Sequence, residues 1–138
     1  MAYKFIVAGS VQMGPDGRSS ILLEPAEREF VLKQMRGLVA SLQSITEALA
    51  RDDMKAVAKS ARAMGMADAG DAPAALVGKL PLAFKTQGFG MHRDFDRIAA
   101  DAESQGGRQH ALAQLAAVLN RCVACHAAYR IEAAPAGR

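Results

Sequence analysis

The sequence predicts an all-α fold: an antiparallel four-helix bundle preceded by a short N-terminal β-hairpin or extended arm. Three observations lead there. Hydrophobic residues make up 51% of the 138 residues but aromatics only 5%, so Ala, Leu, Val and Met supply most of the apolar content and favour helices over sheets. Four segments carry apolar residues at alternating spacings of three and four, the signature of a helix with one buried stripe. The connections between them are short, which sets successive helices antiparallel. The length is that of one domain, divided into an arm over 1–23, the bundle over 24–132 and a flexible tail over 133–138.

In the arm, Tyr3-Lys4-Phe5-Ile6-Val7-Ala8 and Ser20-Ile21-Leu22-Leu23 are short β-prone runs flanking the turn signal Gly14-Pro15-Asp16-Gly17. A lone hairpin is only marginally stable and should pack on the body or on another chain. Glu24-Pro25-Ala26-Glu27 opens the first helix, with proline in the first turn and acids where the helix dipole favours them. Val31, Met35, Leu38, Leu42, Ile45 and Leu49 then form an unbroken heptad seam. Asp52 and Asp53 restart the chain into a second helix with Met54, Val57, Ala61 and Met64 inward, fading over Gly65 to Gly70. Asp71 to Gly90 is broken by Pro73, Gly78, Pro81 and Gly88, and Leu76, Leu80, Leu82 and Phe84 are expected to cover the end of the core. The third helix is expected from about Met91, with His92, Phe95, Ala99 and Ala102 inward, ending at Gly106-Gly107. The fourth starts near Arg108 with Leu112, Leu115, Leu119, Cys122, His126 and Tyr129 on its buried seam, and Pro135 and Gly137 mark a frayed end.

Several function classes drop out on composition. The formal net charge is +3 with the basic residues scattered, and Trp is absent, so neither a nucleic-acid-binding arm nor a stacking platform is expected. No stretch approaches about 18 uninterrupted apolar residues, so no membrane span is expected. The run Phe5-Ile6-Val7-Ala8 is too short for a secretory h-region of roughly 7–15 residues. Either a leader has been removed or the protein is cytosolic, and the cysteines decide between these.

Both cysteines of the chain lie in Arg121-Cys122-Val123-Ala124-Cys125-His126. C-x-x-C-H reads as a covalent attachment site for c-type haem: two thiols reach the two vinyl groups of one porphyrin, and the following imidazole becomes the proximal iron ligand. In a chain of this composition the motif arises by chance in roughly six cases in ten thousand. A structural zinc site needs four ligands, and no second Cys/His pair is present. A thioredoxin-like pair needs a βαβ setting, and a disulfide across two residues of a helix is strained. Haem attachment places the chain outside the cytoplasm, in the periplasm, after removal of an export signal.

Arg121-Cys122-x-x-Cys125-His126-x-x-Tyr129-Arg130 near the end of the last helix, together with the heptad-patterned first helix, resembles the cytochrome c′ and cytochrome c-556 family over about residues 24–132. The arm is extra, and the family's Arg-Gln pair before the distal position is matched only loosely, by Lys33-Gln34 ahead of Met35. The resemblance implies a monohaem four-helix bundle with haem c held by Cys122 and Cys125, His126 proximal, and a residue near the start of helix one on the opposite face. Met35 is the matching candidate for that distal position, and otherwise ordinary core filler. It also implies that Arg121 and Arg130 hold the propionates, assisted by Lys33 or Arg36. Tyr129 reads as a packing residue at the haem edge.

His92 is a second distal candidate or a hydrogen-bonded bundle histidine, His110 is read as surface, and Met64, Met66 and Met91 as core or loop packing. No carboxylate pair points to hydrolysis, so the protein is read as a carrier rather than an enzyme. The leading expectation is an electron carrier with His126 and Met35 as axial ligands, a pair that raises the potential. The alternative is a five-coordinate or displaceable-ligand protein binding small gases such as nitric oxide or carbon monoxide. Redox partner proteins, a homodimer, and a strand added through residues 2–23 to another chain are the expected partners.

Overall fold

The computed structural model describes residues 1–104 and 106–135. Helix α1 spans Pro25–Ala50, with proline in its first turn and the Glu24 N–H donating to the Glu27 carboxylate at 2.9 Å. Its heptad turns Val31, Leu38, Ile45 and Leu49 into the interior, as the spacing predicts, while Met35 and Leu42 are partly buried. Asp52 turns the chain with φ 57°, and the Asp53 carboxylate accepts the Ala56 N–H at 3.0 Å to cap α2, Met54–Arg62. Short helices α3 (Met66–Ala69) and α4 (Ala74–Lys79) follow, then α5, Leu82–Ser104, and α6, Arg108–Ala128. Helix α2 packs on both α1 and α5, and α6 packs on α5 and more lightly on α1.

The third long helix thus begins at Leu82, nine residues before the expected Met91. Gly88 and Gly90 lie inside it, each forfeiting roughly 1 kcal/mol relative to alanine, and at Gly90 tertiary contact offsets the cost. A Cβ on Gly90 would sit 3.0 Å from the Arg121 guanidinium, so the glycine lets α6 approach. Leu82 does not cover the core as expected: it opens the helix and is 45% exposed.

Helix α6 is also rotated from its expected seam. Ala111, Leu115 and Val118 are the buried positions, Leu112 and Leu119 face outward, and His126 is exposed. An 18-residue window of α6 reaches a mean hydropathy of 1.3, long and apolar enough by composition alone to cross a membrane. The helix ends before Tyr129, which opens a strand instead of continuing the seam.

The arm forms a hairpin in which the expected run Ser20–Leu23 lies in the second strand, but residues 3–8 are not the first. Its strands are β1, Val11–Met13, and β2, Ser19–Leu23, paired antiparallel with Val11 opposite Ile21. The turn lies where predicted: Gly14 N–H donates to Arg18 O at 2.8 Å and Gly17 takes φ 83°. Residues 4–8 wind into one π-helical turn ended by Gly9. That turn is held on the body by Lys85 Nζ, which donates to the carbonyls of Phe5 and Ile6 at 3.2 and 2.9 Å. The Phe5 ring lies where a side chain on Gly78 would be. These contacts withdraw the run from strand pairing despite its β-prone composition.

Strand β3, Tyr129–Ala133, was not expected and lies parallel to β2, Ser19 opposite Tyr129 through Leu23 opposite Ala133. Residues 133 and 134, assigned from sequence to a flexible tail, are therefore paired, the Ala134 N–H reaching Leu23 O at 2.8 Å. Gly137, the other half of the predicted frayed end, lies outside the described residues.

Two apolar cores result. One joins Leu38, Ile45, Val57, Phe95, Ile98, Leu115 and Val118 among α1, α2, α5 and α6. The other joins Ile21, Leu23, Val31 and Leu76 beneath the sheet. Met35 packs against both.

Candidate functional site

A cleft of about 950 Å³, its mouth included, opens beside Met35 between the two cores. Helix α1 contributes Phe30, Val31, Met35 and Leu38, α5 contributes Phe84 and His92, and α6 contributes Arg121, Cys122, Cys125 and His126. A second lobe of about 770 Å³ adds Arg18, Leu32, Tyr129, Arg130 and Ile131, and shares Val31, Met35, Phe84, Cys125 and His126 with the first. The shared residues make one continuous apolar slot with arginines toward both ends. Such a lining suits a ligand that is mostly apolar with a charged edge.

The positions of the cysteines follow from helical geometry. Spaced three apart on α6, they share one face of the helix, and both are free, half-buried thiols. Burial pushes both thiols above their ordinary pKa, and the neighbouring Cys122 adds to the rise at Cys125. They are therefore neutral and weakly nucleophilic at neutral pH.

Met35, Cys122, Cys125 and His126 thus line one cleft. The two arginines assigned to the propionates do not meet. Arg121 lines the first lobe, its Nε donating to Asp94 at 2.6 Å and Nη1 to Gln87 at 3.3 Å. Arg130 lines the second, paired with Glu132 at 2.8 Å and Asp16 at 3.3 Å. Lys33 and Arg36 line neither lobe; both are exposed, and Arg36 pairs with Glu29 at 2.7 Å. Tyr129 meets the Phe84 ring edge-on, centroids 5.4 Å apart, in the core below the sheet.

His92 lines the first lobe with Nδ1 2.7 Å from Met64 O. A carbonyl only accepts, so Nδ1 is the donor in this contact. His110 pairs with Asp101 at 2.9 Å on the surface. Met91 is buried in the main core, and Met64 packs against it.

Asp16, Arg18 and Asp68 escaped the sequence reading. Asp68 places a buried carboxylate oxygen without a hydrogen-bond partner in the wall of the first lobe. Arg18 binds Asp16 through Nε at 2.8 Å and through Nη2 at 2.7 Å. Its Nη1 donates to the carbonyls of His126 and Tyr129 at 3.2 and 3.3 Å. The turn motif located residue 18 in the hairpin, but no local pattern relates it to residue 126.

These hydrogen bonds from Arg18, with Arg130 nearby, lower the Asp16 carboxyl pKa to about 2. The ordinary carboxyl value is about 3.9, so the folded group is the stronger acid. Its contribution to stability is complete above about pH 4 and is lost as the pH falls toward 2. Thermal melts of the wild type and Asp16→Asn should therefore differ at pH 6 and converge near pH 2. A separation that does not depend on pH would refute the assignment.

No family model matches the chain, and no curated protein or solved structure matches it either.

Proposed function

We propose that this chain is a monohaem c-type cytochrome that carries electrons in the periplasm, with α1, α2, α5 and α6 as the four helices of a haem-binding bundle. The observation that carries the reading is the cleft in which the C-x-x-C-H motif and Met35 line the same walls. Among the described residues, no three His, Cys, Asp or Glu side chains converge as they would around a bare ion.

Bound haem supplies one-electron redox chemistry. Each part of the cleft has a task toward it. Cys122 and Cys125 would hold the ring covalently, and His126 and Met35 would ligate its iron. Phe30, Val31, Leu38 and Phe84 exclude water, which limits solvent reorganisation during electron transfer. Either Arg121 or Arg130 would offset the propionate charges, each from the lobe it lines. Val123, 69% exposed between the two cysteines, leaves the outer side of the motif open to a redox partner protein.

The visible spectrum of the exported, purified protein tests this. Two protein ligands give a low-spin spectrum that carbon monoxide does not shift. Replacing Met35 with leucine should convert it to a high-spin spectrum that carbon monoxide does shift, and should lower the reduction potential. A wild type that is already high-spin and shifts with carbon monoxide favours the gas-binding alternative. A preparation without a haem spectrum removes both readings.

A further inference from the structure

The C-terminal end of α6 is held by the arm in two independent ways. The last helical hydrogen bond runs from Tyr129 N–H to Cys125 O, so the His126 carbonyl lies beyond it, among those a helix leaves unsatisfied. Arg18 Nη1 reaches this carbonyl at 3.2 Å and the Tyr129 carbonyl at 3.3 Å, bringing a cation to the negative end of the helix dipole. The guanidinium is aimed by Asp16, which accepts Nε–H at 2.8 Å and the Arg18 backbone N–H at 3.1 Å. The next residue, Ser19, begins the strand that pairs in parallel with Tyr129–Ala133. Backbone pairing thus fixes the chain just after His126, and a side chain grips His126 itself.

We infer that Arg18 is a positioning residue for His126, fixing the backbone from which the proximal imidazole reaches the iron. The inference rests on the haem reading above and gives the N-terminal hairpin a function at the cofactor. A metal-binding histidine is oriented by the groups that hold it, and loosening them alters the electronics of the metal. Arginine suits the task because its planar fork can bind a carboxylate on one edge and still donate from another nitrogen.

The test uses the full chain, exported and loaded with haem, as wild type, Arg18→Gln, Arg18→Lys and Asp16→Asn. Reduction potential and melting temperature are measured on each. Arg18→Gln should shift the potential, and Arg18→Lys, which keeps the charge and a donor, should recover part of that shift. Asp16→Asn should shift it the same way by less, because Arg18 remains but is no longer aimed by a carboxylate. Should Arg18→Gln fail to fold, Asp16→Asn alone decides. A wild-type potential in the variants, whatever their melting temperatures, overturns the inference and leaves Arg18 a structural tie. A wild type that takes up no haem overturns the underlying reading, and this inference falls with it.

Discussion

Replacing Cys122 and Cys125 together with serine should abolish covalent haem: in-gel haem staining after denaturation should be positive for the wild type and blank for the double variant. The expected loss is total because a serine hydroxyl cannot form the thioether bond. The two sulfurs lie on one face of α6 at a shared cleft wall, so either single variant should keep one attachment point and stain more weakly. The cysteines are half-buried, free and outside the fully buried core, so the serine variants should still fold. Far-UV circular dichroism separates loss of cofactor from loss of structure. Covalent haem retained by the double serine variant would show that the motif is not the attachment site.

The largest expected loss of stability is at Phe95. Its ring is fully buried in the core shared by α1, α2, α5 and α6. Phe95→Ala removes that apolar surface and leaves a void that the neighbouring Ile45, Val57 and Ile98 fill only in part, at a cost of about 3–5 kcal/mol. A small domain has only about 5–15 kcal/mol in hand, so the variant should be marginal at growth temperature. Urea titration measures the effect directly. A loss under about 1 kcal/mol would mean that this core collapses onto the gap far more freely than close-packed interiors do.

What could be read from the sequence was local. The heptad from Val31 to Leu49 needs only the geometry of its own helix, and α1 follows it closely. Gly14-Pro15-Asp16-Gly17 states its turn in four residues. The Cys122–His126 motif is likewise local, and it falls on α6 as the periodicity predicts. The misplacements arose where distant residues decide. The start of α5 was obscured by Gly88 and Gly90, and the cost of Gly90 is offset by Arg121 on another helix. The rotation of α6 depends on which neighbour it packs against, because Leu112 and Leu119 match the apolar spacing as well as Ala111 and Val118 do. Tyr129-Arg130-Ile131 reads as the continuation of a helix until β2 is alongside to pair with it. Arg18 shows the same limit for the site: its partner carbonyl is 108 residues away in the chain.

That separation bears on how the molecule assembles. The parallel pairing of Ser19–Leu23 with Tyr129–Ala133 encloses every long helix in one loop. Closing so long a loop is slow, because its entropy is lost before any contact across it is gained. The helices and the Gly14–Gly17 turn can form early, from neighbours, whereas the sheet must wait until both flanking segments are in place. Until that late closure, the end of α6 that carries His126 is untethered and the second lobe of the cleft lacks its Arg18 wall.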